Sequence, residues 1–332
     1  MPPTFVAILL FTLGLVLLVV GAELLVRGAS RLAAAFGIAP LVIGLTIVAF
    51  GTSAPELAVS VGAALRGQDG VALGNAVGSN TFNVLFILGL SALIVPLRVA
   101  HQLIRIDLPI MIGSAVLLML LSLDGMLGRI DGVVFLTGIV AYTTMLIVLA
   151  KRSPTLPADD EFVKEFGGKP DEPKRRGWLN PLLILVGLAM LVGGSHWLVG
   201  GATTLARVVG ISERVIGITL VAAGTSLPEV FTSIIAAIKG ERDIAIGNVV
   251  GSNIFNVFCV LGGAALLAPD GITVPPSVRW VDMSVVLATA VICLPAFITG
   301  MTLSRREGAI FLTGYIAYIV YLFIESKGTD AP

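Results

Sequence analysis

The sequence predicts an all-α polytopic membrane protein with ten transmembrane helices in two inverted five-helix repeats. Three observations lead there. The 332-residue chain has a mean hydropathy of +1.00 and only 13% charged residues, against about 25% in an ordinary soluble domain. Ten apolar stretches approach the ~20 residues that a spanning helix needs. Residues 44–89 recur without a gap at 217–262, shifted by 173 positions, with about half of them identical.

Taken in order, the apolar stretches are roughly 4–26, 38–65, 70–96, 104–123, 128–150, 179–202, 212–238, 243–268, 280–300 and 306–325. The opening MPPTF has no basic region and the first apolar run ends without a cleavage site, so it is expected to be a retained helix. Residues 151–178 are charged and Pro-rich and predict a solvated linker. The linker separates a first repeat, 1–150, from a second, 179–332. Five helices per repeat is an odd number, so the second repeat enters from the opposite face. Substrate in such folds sits near the midplane, where broken helices meet.

Lys and Arg set the orientation. The linker side carries Arg27, Arg31, Arg98, Arg105, Lys239, Arg242, Arg305 and Arg306, plus seven more within the linker. The other side carries Arg66, Arg129, Arg207, Arg214, Arg279 and Lys327. The excess predicts a cytoplasmic linker and two extracytoplasmic termini in a plasma or inner membrane. Lys+Arg and Asp+Glu are both 21, which gives no argument for a nucleic-acid partner. Cys259 and Cys293 lie in apolar stretches and read as small buried hydrophobes.

Each copy of the repeat carries polar residues that a bilayer should reject. Glu56 and Glu229 sit in GTS-x-PE hexapeptides inside apolar stretches. An intramembrane carboxylate costs at least about 2.5 kcal/mol at a helix centre, so its default reading is functional. Pro55 and Pro228 remove a backbone donor, and Gly51 and Gly224 loosen the chain before them. A bend with unpaired carbonyls is expected at each place, which is tolerated at membrane depth only against protein or a wet cavity. Thr52 and Glu56, four apart, are expected on one helix face, as are Thr225 and Glu229, Ser79 and Asn83, and Ser252 and Asn256. Two carboxylates with hydroxyls, amides and freed carbonyls make an all-oxygen site, which suits hard cations such as Ca²⁺ and Na⁺.

Other readings attach to some of these residues. Ser53, Ser226 and the threonines could bond back to their own helix. The asparagines and Ser79 and Ser252 could be glue between helices, and Gly74, Gly78, Gly247 and Gly251 fit close packing. Glu23 and His196 occupy equivalent places and could form a proton relay or simply snorkel. Asp107 and Asp282, near helix starts, are expected to anchor at the interface.

The paired GTS-x-PE and GN-x-VGSN-x-FN motifs resemble the alpha repeats of the sodium/calcium exchangers, within the cation/calcium antiporter superfamily, and of its prokaryotic type. The clear resemblance covers about 90 residues, and the ten-helix plan fits the rest. It implies exchange of Na⁺ for Ca²⁺ by alternating access. Glu56 and Glu229 would hold Ca²⁺ with Thr52, Ser53, Thr225 and Ser226. Na⁺ would use overlapping oxygens, with Ser79, Ser252, Asn83, Asn256 and the carbonyls of Ala49 and Ala222 alongside. No cofactor is expected beyond the transported ions, and a monomer should suffice. Some relatives carry aspartate where Asn256 stands, including potassium-dependent ones. A proton/calcium antiporter is the runner-up, although that branch carries a carboxylate motif absent from GNAVGSN. A passive cation channel would use similar ligands but builds its filter on an oligomeric axis. An enzyme is the weakest reading, because no nucleophile–base pair lies near a motif.

Overall fold

The computed structural model describes residues 3–152, 179–209 and 222–328. Most of the expected linker, and the first half of the expected helix 212–238, lie outside them. The helices are α1 (Pro3–Phe36), α2 (Pro40–Thr52), α3 (Ala54–Ala64), α4 (Asp69–Ile94), α5 (Leu103–Leu121) and α6 (Arg129–Arg152). After the linker come α7 (Leu179–Val208), α8 (Leu227–Ile238), α9 (Arg242–Leu267), α10 (Val278–Met301) and α11 (Arg305–Gly328). Eight of these are long and apolar enough to cross a membrane, and the pair α2–α3, bent by 44°, makes a ninth span among the described residues. The 12-residue α8 stands where the second half of the tenth is expected. The chain is a multi-pass membrane protein.

The repeat helices form the centre. In the apolar window of α9 94% of residues are buried, and in α4 67%, against 11% in α11 and 22% in α6. The outer helices therefore present their apolar side chains to lipid. α1 runs ten residues beyond its apolar stretch and stops at Gly37, whose φ of +63° is a left-handed helix end. Hydropathy alone misses that extension because Arg27 and Arg31 lie on the extra turns.

Small residues set the packing register. Ala7, Gly14, Gly21 and Gly28 of α1 meet Gly201, Gly194, Gly187 and Asn180 of α7, in antiparallel steps of seven residues. A two-fold axis that exchanges residue n with n+173 maps this set of contacts onto itself, so α1 and α7 cross as symmetry mates. The repeats also interlock. Gly89 of α4 lies on Gly308 of α11, and Gly262 of α9 lies on Gly132 of α6. Gly247 and Gly251 pack on Leu41, Leu45 and Ala49 of α2, as a packing role requires. A Cβ at Gly74 or Gly78 would meet nothing within 4 Å among the described residues.

Two short antiparallel ladders were not anticipated from the sequence. β1 (Leu97–Arg98) pairs with β4 (Thr302–Leu303), and β2 (Met126–Leu127) pairs with β3 (Ile272–Thr273). Each joins a loop of one repeat to a loop of the other, and each pair of loops falls on the same face when successive spans alternate in direction. The ladders thus agree with inverted repeats.

Three polar residues depart from expectation. Asp107 is fully buried rather than interfacial, and accepts a hydrogen bond from the Tyr142 hydroxyl at 3.0 Å. Its counterpart Asp282 accepts one from Tyr318 at 2.8 Å. Both carboxylates therefore brace neighbouring helices. Glu23 does not meet a histidine; it pairs with Arg27 and with Lys239, each at 2.9 Å, while His196 is exposed.

The α1–α7 register yields a prediction. A Cβ at Gly21 would lie 2.9 Å from the Gly187 carbonyl oxygen. Gly21→Val should cost about 1–3 kcal/mol of stability, read as a lower thermal midpoint in detergent. Gly113→Ala, where nothing lies within 4 Å, should leave the midpoint in place.

Candidate cation site

The site begins with the two helix breaks. Ser53 ends α2 with φ −82° and ψ 3°, and Ser226 precedes α8 with φ −88° and ψ 5°. Pro55 has no N–H to give the Gly51 carbonyl. The C-terminus of α2 thus presents carbonyl oxygens, a partial negative charge suited to a cation. Glu56 and Glu229 lie in the first turns of α3 and α8, where free N–H groups favour a carboxylate.

Both carboxylates are fully buried. Ser226, three residues before Glu229, donates to Glu56 Oε1 at 2.9 Å. Ser53, three before Glu56, donates to Glu229 Oε1 at 3.1 Å. Each serine therefore serves the other repeat's carboxylate, which brings two residues 173 positions apart into one cluster. Ser79 joins it, with its Oγ 3.0 Å from that of Ser226. Among the described residues no Lys or Arg pairs with either glutamate.

The expected sharing of a face by Thr52 and Glu56 fails, because the bend falls between them. Thr52 donates instead to Asn248 Oδ1 at 3.0 Å, and Thr225 to Asn75 Oδ1 at 3.2 Å. These two asparagines, from the GN dipeptides, were not picked out by the sequence reading. Asn75 Nδ2 donates to the Glu56 carbonyl at 3.1 Å and to Ser60 Oγ at 2.9 Å. Asn248 does the same for Glu229, at 3.4 Å, and Ser233, at 2.9 Å. Each braces its own repeat's glutamate turn against the other repeat's threonine. Their near-identical roles could have been suspected from the exact repetition of GN, but their partners lie in the opposite repeat.

Asn83 and Asn256 each open a π-helical turn, Asn83–Leu88 and Asn256–Leu261. Such turns widen the helix and are frequent at functional positions. Most of the buried side-chain oxygens without a hydrogen-bond partner among the described residues are in this region. They are Glu56 Oε2, Glu229 Oε2, Ser252 Oγ, Asn83 Oδ1 and Asn256 Oδ1. Buried oxygens are ordinarily satisfied, so a cluster of unsatisfied ones fits a cation as the missing partner. The Ala49 carbonyl already accepts the Ser53 N–H at 3.0 Å and lies 3.4 Å from the Thr52 hydroxyl. Ala222 belongs to the short turn Ala222–Gly224 before the second break.

Inverted repeats, two broken helices and an all-oxygen cluster around paired carboxylates define a membrane transporter for hard cations. The family model for the sodium/calcium exchanger protein matches residues 6–148 and again 179–324. The chain belongs to the sodium/calcium exchanger family. It is 40% identical over 321 residues to a protein of Alkalimonas amylolytica that carries the name antiporter CaxA, covering 96% of this chain and 99% of that protein. It is 34% identical over 344 residues to the sodium/calcium exchanger MaX1 of Methanosarcina acetivorans, covering 95% and 98%. A solved structure of the sodium-calcium exchanger NCX_Mj superposes with a TM-score of 0.81 at 31% identity, covering 96% of this chain and 99% of that one.

The crossed serines make the two half-sites interdependent. Ser53→Ala and Ser226→Ala should each weaken Ca²⁺ affinity about 10-fold, as loss of a bond that orients a ligand does. The check is the Ca²⁺ dependence of uptake into vesicles; an effect from one serine alone would contradict the crossed arrangement.

Proposed function

We propose that the chain exchanges Na⁺ for Ca²⁺ by alternating access, and that both ions use the oxygens around Glu56 and Glu229. The observation that carries this is the pair of fully buried carboxylates that, among the described residues, have unpartnered Oε2 atoms and no cationic side chain paired with them. Two negative charges balance one Ca²⁺. Thr52, Ser53, Ser79, Asn83, Ser226, Ser252, Asn256 and Thr225, with the carbonyls of Ala49 and Ala222, supply neutral oxygens for Ca²⁺ or for Na⁺. Because both ions need the same carboxylates, occupation by one excludes the other, and that competition couples their movements. One half of the bundle then moves against the other to open the site to the opposite face.

Both halves of the site come from one chain, which supports a functional monomer. The excess of Lys and Arg supports a cytoplasmic linker at 151–178, extracytoplasmic termini and a cell-membrane location. Residues 1–150 and 179–332 are the two repeats on this reading. No chemical step is needed, so the protein is a carrier and not an enzyme, and it requires no cofactor besides its cargo. Asn83 and Asn256 carry no proton to release, which weighs against a proton-driven antiporter.

The experiment is Ca²⁺ flux into sealed vesicles with and without an opposing Na⁺ gradient. Uphill Ca²⁺ movement driven by Na⁺ is expected, and a channel cannot produce it; uptake indifferent to Na⁺ would overturn the reading. Glu56→Gln and Glu229→Gln each remove half the charge at constant size. Each should abolish exchange while the protein still elutes normally on gel filtration and loses protection by Ca²⁺ against heating. Replacing the middle of the linker by an equally long Gly/Ser spacer should leave Na⁺-dependent uptake intact; loss of uptake at normal stability would show a role in transport.

A further inference from the structure

We infer that Asn80 and Asn253 are positioning residues that decide which end of the Asn83 and Asn256 amides faces the ions, each acting on the opposite repeat. The inference rests on the proposed cation site and deepens it.

The argument follows the donors. Asn80 Nδ2 donates to the backbone carbonyl of Asn253 at 3.2 Å, and Asn253 Nδ2 donates to that of Asn80 at 3.4 Å. A carbonyl oxygen only accepts, so these contacts fix both amides with nitrogen toward the backbone. The Oδ1 atoms of Asn80 and Asn253 are thereby left as acceptors. Asn256 Nδ2 donates to Asn80 Oδ1, and Asn83 Nδ2 donates to Asn253 Oδ1, each at 3.0 Å. With their nitrogens committed, Asn83 and Asn256 have only Oδ1 left to present. Those two oxygens are buried and have no hydrogen-bond partner among the described residues.

An amide has nearly the same shape either way round. Turned over, it would aim an NH₂ group at a cation and repel it. Two such residues in a cation site therefore need something to hold them one way, and the four-asparagine ring does so. All four side chains are buried, with at most 3% exposure, so water cannot supply the competing bond. Asn83 lies one turn beyond Ser79, whose Oγ adjoins the Ser226–Glu56 bond, so residue 83 is on the helix face that carries the carboxylate cluster. The ring crosses the two-fold axis, so each repeat sets the other's ligand.

This arrangement predicts an unusual pattern of coupling. Asn80 should act through Asn256, 176 positions away, and not through Asn83, three positions away. Alanine at 80 removes the acceptor but keeps the backbone carbonyl that orients Asn253, so Asn83 stays held. The test is the Ca²⁺ KM and kcat of Na⁺-driven uptake in vesicles for Asn80→Ala, Asn256→Ala, Asn83→Ala and the doubles. Asn80→Ala should raise KM about 10- to 100-fold, as loss of an outer-shell partner does, with a much smaller change in kcat. The double Asn80→Ala/Asn256→Ala should be no worse than the worse single, whereas Asn80→Ala/Asn83→Ala should show the product of both effects. The mirror set with Asn253→Ala should couple to Asn83 and serves if Asn80→Ala fails gel filtration. Multiplying effects of 80 with 256, or coupling of 80 with 83, would overturn the inference. Wild-type vesicles separate the two levels. Absence of Na⁺-driven uptake there would overturn the transport reading, whereas uptake with the wrong coupling pattern would overturn only the role of the ring.

Discussion

Two buried carboxylates with no cationic partner among the described residues are the constraint on which this structure depends. An isolated carboxylate in a low-dielectric interior is so costly that proteins ordinarily pair it or neutralise it. Here Glu56 and Glu229 are fully enclosed, and what surrounds them is hydroxyl, amide and backbone. Each neighbour offsets part of the charge. The N-termini of α3 and α8 face the carboxylates with free N–H groups, and the crossed serines each donate one bond. None of these supplies a full positive charge. On the proposed reading the remainder falls to a mobile cation, which would make the site transport-competent. A fixed Lys or Arg in its place would satisfy the charge permanently and leave nothing to exchange.

The helix breaks follow from the same requirement. A continuous helix through residue 56 would satisfy its carbonyls internally and offer the ion only side chains. The break at Ser53 exposes carbonyl oxygens from one half-helix and N–H groups from the next, both directed at one depth in the bilayer. Such open backbone survives only inside a protein envelope, and α4 and α9 provide it, since they are the two most deeply buried spans. Their burial in turn requires close approach, which the glycine contacts of α9 with α2 and α6, and of α4 with α11, permit. Site chemistry and packing therefore select the same helices.

Much of this was legible in the sequence, and what was not has a physical reason. The carboxylates, the breaks and the inverted repeat could be read because each leaves a local mark: a charge in an apolar run, a Gly–Pro pair, a constant offset. The roles of Asn75, Asn80, Asn248 and Asn253 could not, because every one of them bonds across the two-fold axis to a residue at least 150 positions away. The same crossing misled the assignment of Thr52 to the face of Glu56, since helical spacing holds only within an unbroken helix. The burial of Asp107 went unseen because its partner, Tyr142, comes from the next helix. The ladders β1–β4 and β2–β3 are too short for any strand pattern to announce them.

The two-fold symmetry is close at the site and deliberately absent at its edge. Near the carboxylates almost every bond has its mate: Ser53 with Ser226, Thr52 with Thr225, Asn80 with Asn253. In the second half of α1, Glu23 pairs with Lys239 on the turn between α8 and α9, and Ser30 donates to Glu241 of the same turn. The symmetry mates of these four residues are His196, Arg66, Thr203 and Gln68. Histidine with arginine cannot reproduce a carboxylate–ammonium pair, so this ionic tie has no equivalent at its symmetry-related positions. In an exactly symmetric carrier the states open to either face would have equal energy. Here an ion pair holds α1 to the second repeat, and its symmetry-related positions carry no carboxylate–ammonium pair, so the two-fold symmetry is not exact there. The symmetry thus serves binding, where both ions must meet the same oxygens from either side, and it is broken at this ion pair.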